Sequence, residues 1–403
     1  MPLAIGIGLG TAFAQDKGGG GGPYRAKAQS ILAAMAAGGS VPISSDIPTY
    51  SEGTGFANST LNNATDKTAT LKPLDAAMTR LGLTFVTLTA YGIPYTVAKA
   101  NNPNDYTIGT GNGGGYRFRI NATAFDAFVC SDGGAMTIKV NGAFLPTIYH
   151  TSGTFGYRKF TFPNKAVRDI EFYIDSGQVV AGFNVAAIDT ISALPLPALP
   201  KSMIFGDSYT EGLYTITTGG YVDASDYDHC NTFPVRLREL MGLPGMFLQG
   251  RGGQGAVAVS SGQSFLSRAL AGDFTQNGSD MDLVIIYNTI NDGTQTVATV
   301  QANWQTIITR LMADQPNAII LGFTGFKTAG APVDAAHNSA FLNAFNAVKD
   351  ASRMKVWDGN DQIFNSGNFA TYIAGDGIHP NTPGATFSAG IVKSQFQTLL
   401  QSF

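Results

Sequence analysis

From about residue 46 to 190 the hydrophobic positions recur at every second residue. In Tyr116-Arg117-Phe118-Arg119-Ile120 the apolar side chains take one face and the arginines the other, the mark of a half-buried strand. Met136 to Val140 repeats the arrangement and turns at Asn141-Gly142. Asp169 to Ile174 repeats it again, and Gln178 to Ile188 reads as a further strand. Strands separated by Gly, Asn and Pro turns predict an all-β sandwich, jelly-roll-like, over residues 46–191. Tyr149, Phe155 and Tyr157 are candidates for an exposed ring that stacks on sugars, set against the commoner role of filling the core.

Three prolines within residues 192–200 exclude a helix or a central strand and mark a linker. Beyond it the period alternates. Strands are predicted at Met203 to Phe205, Met246 to Leu248, Leu283 to Tyr287, Ala318 to Phe323 and Lys355 to Trp357. Between them lie helical stretches: Phe233 to Met241, one carrying Val300, Trp304, Ile307, Ile308 and Leu311 on one face, and one carrying Phe341, Phe345 and Val348. A last helix runs from about Pro383 to Leu400. Strict alternation of this kind predicts an α/β domain over 201–403, a doubly wound parallel sheet covered on both faces, with its site at the carboxyl ends of the strands.

The first 45 residues belong to neither pattern. Leu3 to Ala14 is apolar and ends in Ala12-Phe13-Ala14, which resembles a signal-peptidase site. No Lys or Arg precedes it, which favours a retained segment, and it is too short and glycine-rich to span a bilayer. Gly18 to Gly22 reads as a hinge, and Tyr24 to Ala37 as a short helix ended by Gly38-Gly39. Residues 1–45 are therefore expected to attach the chain to an assembly, as a homo-oligomer or among larger partners.

Composition narrows the chemistry. Charged residues are only 13% of the 403, with 25 Lys plus Arg against 28 Asp plus Glu, so a net charge of −3 offers no general attraction to nucleic acid or anionic membrane. Neither is expected as a partner. The two cysteines, Cys130 and Cys230, fall in different domains and are expected as buried free thiols.

Each strand end of the second domain carries small or polar groups. They are Gly206-Asp207-Ser208-Tyr209-Thr210-Glu211-Gly212, Gly250 to Gly255, Asn288-Thr289-Ile290-Asn291-Asp292-Gly293, and Asp376-Gly377-Ile378-His379-Pro380. Ser208 sits where a strand gives way to a helix, facing the crevice, and needs a base to take its proton. His379 stands in the one histidine motif fit for that task, with Asp376 close enough in a turn to fix its tautomer.

A serine, a glycine, an asparagine and an Asp-x-x-His in this order resemble the SGNH hydrolases, also called GDSL esterases, over residues 201–401. The resemblance implies a triad of Ser208, Asp376 and His379, and an oxyanion hole made by the Ser208 N–H, the Gly252 N–H and the Asn291 amide. It implies no metal and no cofactor. Thr289 stands where the family has glycine and is expected to narrow the pocket or tilt Asn291; Gly250 stands where an asparagine often occurs.

Phe205 to Gly212 is similar to the first block of carbohydrate esterases, in which a sandwich before the hydrolase is a familiar arrangement. That implies removal of short acyl groups, acetyl above all, from a polysaccharide. The opening Met1 to Gly10 is similar to openings of tailed-bacteriophage structural proteins, which implies a virion-associated deacetylase acting on a host glycan. A secreted bacterial esterase, and a non-catalytic virion or glycan-binding protein on a retained scaffold, are the alternatives.

Other motifs carry less. His150 and His337 read as isolated surface or satisfied core residues, and Asp226-Tyr227-Asp228-His229 as solvated surface rather than a metal cluster. The glycines at 250–255 do not follow the first strand as a dinucleotide fingerprint would. Gathering a divalent ion on Asp207, Asp292 and Asp376 would leave the serine and asparagine without a purpose.

Overall fold

The computed structural model describes residues 22–39, 43–53, 79–81, 84–90, 93–99, 114–130, 135–146, 149–150, 156–174, 179–194, 198–212, 232–260, 262–326 and 335–403. The apolar opening, Phe155, residues 226–229 and Cys230 lie outside them, as do the side chains of Cys130 and His150.

Eleven strands of the first domain join one sheet: β1 (Thr49–Glu52), β2 (Thr79–Leu81), β3 (Thr84–Ala90), β4 (Ile93–Lys99), β5 (Gly114–Cys130), β6 (Ala135–Val140), β7 (Ala143–Phe144), β8 (Tyr149–His150), β9 (Gly156–Ile174), β10 (Val179–Asn184) and β11 (Thr190–Ala193). Their pairings are antiparallel. The all-β domain expected over 46–191 is an antiparallel one, and its described strands form a single sheet folded over along β5 and β9. The fold has a local cause. Tyr116, Phe118, Ile120 and Ala122 face inward at even positions, then a bulge between Ala122 and Ala124 shifts the register, and Phe125, Ala127 and Val129 face inward at odd ones. One apolar face thus survives the corner, and rings from both sides meet across it, Phe125 with Phe172 at 6.3 Å and Phe118 with Phe125 at 5.5 Å. Tyr149 and Tyr157 are buried, which removes both from the set of exposed sugar-stacking candidates.

The second sheet is parallel, in the order β13-β12-β14-β15-β16, from β12 (Ser202–Gly206), β13 (Phe247–Gly250), β14 (Leu283–Tyr287), β15 (Ile319–Phe323) and β16 (Met354–Trp357). Ile204, Ile285, Leu321 and Phe323 face α1 (Pro23–Ala37), α3 (Phe233–Leu240) and α8 (Thr382–Gln401). Phe205, Val284, Ile286 and Ile320 face α4 (Phe265–Leu270), α5 (Val297–Asp314) and α6 (Ala335–Val348). Short helices α2 (Ser208–Glu211) and α7 (Phe369–Tyr372) sit at strand ends. The five apolar residues predicted to share a helix face are the ones α5 buries. Because the chain steps from β12 to β13 on one side and crosses back to β14 on the other, the crevice opens at the carboxyl ends of these three strands.

Helix α1 contributes Ala28, Ile31, Ala34 and Met35 to the core shared with α3 and α8, and Lys27 pairs with Asp282 at 2.8 Å. Residues 23–37 of the segment read as an attachment arm are thus packed on the second domain, since their alanine-rich face has an apolar surface of the same chain to cover it. The two domains also meet through buried charge. Lys139 of β6, 3% exposed, pairs with Glu239 of α3 and lies 3.5 Å from Glu171 of β9. The Tyr173 hydroxyl donates to Glu171 at 2.7 Å, and the Arg238 guanidinium lies 4.9 Å from the Tyr173 ring.

Candidate active site

Ser208 opens α2 immediately after β12, so its N–H is among the donors a helix start leaves unpaired. Asp207 caps that helix, its Oδ1 accepting the Tyr209 N–H at 3.0 Å and the Tyr287 hydroxyl at 2.8 Å. Tyr287, at the end of β14, reaches this position over Gly206. A Cβ on Gly206 would stand 2.4 Å from the Tyr287 ring, which is why a glycine ends β12. The same hydroxyl accepts the Thr210 N–H at 3.0 Å.

The Asp-x-x-His turn lies between β16 and α8, closed by a bridge between Ile373 and Pro380 and by the Ala374 N–H donating to His379 O at 2.7 Å. It brings His379 against a serine 171 positions away. His379 Nε2 is 2.8 Å from Ser208 Oγ, and His379 Nδ1 is 2.6 Å from Asp376 Oδ2. Asp376 Oδ1 accepts the N–H groups of Ile378 and His379 at 2.9 and 3.0 Å. Burial pushes the Asp376 carboxyl up, but these three hydrogen bonds outweigh it and hold the group below its ordinary value, ionised beside the imidazole. The Tyr209 hydroxyl donates to Ile378 O at 2.6 Å, and its ring stacks on Phe326 at 4.3 Å, so the residue after the serine braces the turn. Ser208, Asp376 and His379 are thus brought together in one line.

The residues expected to form an oxyanion hole are differently placed. The Gly252 N–H donates to Glu211 Oε2 at 2.6 Å. Asn291 Nδ2 has Gln254 O at 2.8 Å, Thr289 Oγ1 at 3.0 Å and Asp207 Oδ2 at 3.3 Å around it, so both of its hydrogens have acceptors within the protein. Thr289 proves to be a link rather than an obstruction. Its hydroxyl donates to Asp207 Oδ2 at 2.6 Å and accepts the Asn291 N–H at 3.1 Å. Gly250 also has a reason: a Cβ there would stand 2.0 Å from the Glu211 nitrogen.

Three further carboxylates of these blocks are buried, Asp207 as the cap of α2, Glu211 and Asp292. Asp207 is raised from its ordinary value by burial, which exceeds the lowering by Thr289, Tyr287 and the Tyr209 N–H. Asp292 accepts the N–H groups of Ala256, Val257 and Ala258 at 2.7, 3.0 and 2.8 Å, and burial still raises it. Glu211 is pushed up to about 8 by burial. Glu211 and Asp292 lie in the same short blocks that hold Ser208 and Asn291.

His337 is buried, with Nε2 2.8 Å from Gln295 O. Among the described residues no group of three or more His, Cys, Asp or Glu is placed to hold a metal ion, and no helix is long and apolar enough to cross a membrane.

Residues 204–387 match the GDSL-like Lipase/Acylhydrolase family. No curated protein matches the chain. Among solved structures, it is similar to a family two carbohydrate esterase from Clostridium thermocellum in complex with cellohexaose, at 15% identity and a TM-score of 0.61, over 76% of this chain and 99% of that one. It is similar to an acetyl xylan esterase from the rumen bacterium Butyrivibrio proteoclasticus, at 12% identity and 0.58, over 89% and 100%. It is also similar to a salicylyl-acyltransferase from a tetracycline biosynthetic pathway, at 12% and 0.64, over 82% and 97%. At these identities the likeness is one of fold. It extends beyond residues 204–387, so the β domain shares in it.

Proposed function

We propose that this GDSL-like lipase/acylhydrolase domain is a serine esterase that removes short acyl groups, acetyl above all, from a polysaccharide. The observation that carries the reading is the unbroken line from Ser208 Oγ through His379 to Asp376, at 2.8 and 2.6 Å. Ser208 Oγ attacks the ester carbonyl while His379 Nε2 takes its proton, and Asp376 accepts the Nδ1–H and steadies the imidazolium. The Ser208 N–H faces the developing oxyanion, and Asn291 serves as a second donor by releasing Asp207, its longest contact. His379 then returns the proton to the leaving alcohol, and a water deprotonated by the same nitrogen releases the acid from Ser208.

The glycan substrate is supported by the carbohydrate esterases among the similar folds, which this chain covers over 99% and 100% of their length. Release of nitrophenol from p-nitrophenyl acetate by wild type and not by Ser208→Ala tests the esterase. Acetate release from acetylated polysaccharides, faster than hydrolysis of long-chain esters, tests the substrate. Loss of either contrast overturns the corresponding part.

Virion attachment through the N-terminus is the localisation we propose, supported by the apolar, glycine-rich character of residues 1–14. Deleting residues 1–21, which spares α1, should leave ester hydrolysis intact and abolish incorporation into particles or oligomers. A truncated chain that assembles normally, or a mature chain beginning at Gln15, would restore the secreted esterase.

A further inference from the structure

We propose that Glu211 is a positioning residue of the esterase site: it clasps the loop 250–260 to the helix of the nucleophile through the Gly252 N–H. The inference rests on Ser208 being the nucleophile. Glu211 ends the one-turn helix that Ser208 begins, its side chain is buried in a residue only 2% exposed, and its Oε2 accepts the Gly252 N–H at 2.6 Å. Its other oxygen is buried with no hydrogen-bond partner among the described residues. Gly250 lies against the Thr210–Glu211 backbone too closely for any side chain, so loop and helix meet without a gap. Asp292 holds the far part of the loop at residues 256–258. Two buried carboxylates thus hold this loop, Asp292 at its far part and Glu211 at Gly252, beside the Arg251 N–H that donates to Gly206 O at 3.1 Å.

The charged groups facing Glu211 are Arg251 from the loop, Arg268 from α4 and Asp207 from the turn before Ser208. Burial is the largest influence and carries the carboxyl up to about 8, against the lowering by the Gly252 N–H and the two arginines. Near neutral pH the clasp is therefore an uncharged acid. Ionisation would place negative charge one helical turn from an oxygen that itself becomes negative in the transition state, so turnover should fall as pH rises through about 8. Stability follows the same group. Its folded value lies above the ordinary 4.5, so between about 4.5 and about 8 the folded chain holds a proton the unfolded chain has released, and the stability tied to Glu211 is lost as pH rises across that window.

The test compares full-length wild type, Glu211→Gln and Glu211→Ala, with kcat and KM on p-nitrophenyl acetate measured against pH and thermal midpoints measured between about pH 5 and pH 9. Glutamine keeps an acceptor for the Gly252 N–H and cannot ionise. Glu211→Ala should lower kcat at pH 7 by about 10- to 100-fold with KM little changed, while Glu211→Gln retains most of the activity and loses the decline near pH 8. The midpoint of Glu211→Gln should gain on wild type steadily from pH 5 to pH 8 and then level. The proposal is overturned if alanine matches wild type, if glutamine is as impaired as alanine, or if the gap in midpoint does not change with pH. An organophosphonate separates this from the parent reading. Wild type that neither turns over nor takes label at Ser208 removes the esterase, whereas the midpoint comparison still decides the clasp.

Discussion

On the triad side of the crevice Ser208, His379 and Asp376 stand in hydrogen-bond contact, with the carboxylate held ionised by two backbone amides and the imidazole. On the side proposed to hold the oxyanion, Gly252 and Asn291 both spend their donors on acceptors of the protein itself. The difference separates two requirements of acyl transfer. A proton path can be assembled in advance, because serine and histidine satisfy one another in the resting state. Donors aimed at an oxyanion that does not yet exist must either face solvent or be lent to another acceptor, and a lent donor returns only part of its value when the reaction recovers it.

The sharpest way to break that contrast is to remove the triad. Ser208→Ala or His379→Ala should lower kcat on p-nitrophenyl acetate by roughly 10⁴-fold, and Asp376→Asn by a comparable factor because the imidazole loses the acceptor that fixes its tautomer. A loss below tenfold for either of the first two would mean that the proton path is not where the hydrogen bonds put it. Next in size, Thr289→Val keeps the shape and deletes the hydroxyl between Asp207 and Asn291. It should cost about 1–3 kcal/mol in urea unfolding, since a buried carboxylate loses a donor. A neutral result would show that Tyr287 and the Tyr209 N–H suffice for Asp207. The smallest expected effect is at Asn291, where alanine should reduce kcat by about tenfold, below the 10² to 10³ of a donor aimed at the oxyanion beforehand. A thousandfold loss would mean that the amide swings free when substrate binds, and the contrast between the two sides would vanish.

Much of the second domain was legible because its physics is local. Leu283 to Tyr287 is apolar without interruption since both faces of a parallel strand are covered, and the side chains spaced along α5 declare one buried face. Ser208, His379 and Asp376 could be named from residue type and order along successive strands. Acceptors could not. Nothing in the spacing of Glu211 and Gly252 states that one bonds the other across 41 positions, and Thr289, read as a departure from a family glycine, needed Asp207 beside it to make sense. In the first domain β5 reads as a short strand at 116–120 because the bulge at Ala122–Ala124 reverses its period, so alternation on either side appears to contradict itself. The sequence predicts a helix at 24–37, but the surface that covers it lies on α3 and α8, in elements more than 190 residues away.

The buried pairing of Lys139 with Glu239, and the stacking of Arg238 on Tyr173, bear on how freely such domains can be exchanged. A carboxylate and an ammonium taken out of water are tolerable together and costly apart. Joining residues 201–403 to a different β domain would leave Glu239 without its lysine, and cutting the chain in the proline-rich stretch would leave charges on both fragments in surfaces shaped to exclude water. For this chain, residues 201–403 produced alone should therefore unfold at a lower temperature than the full chain, since Glu239 would have lost its lysine.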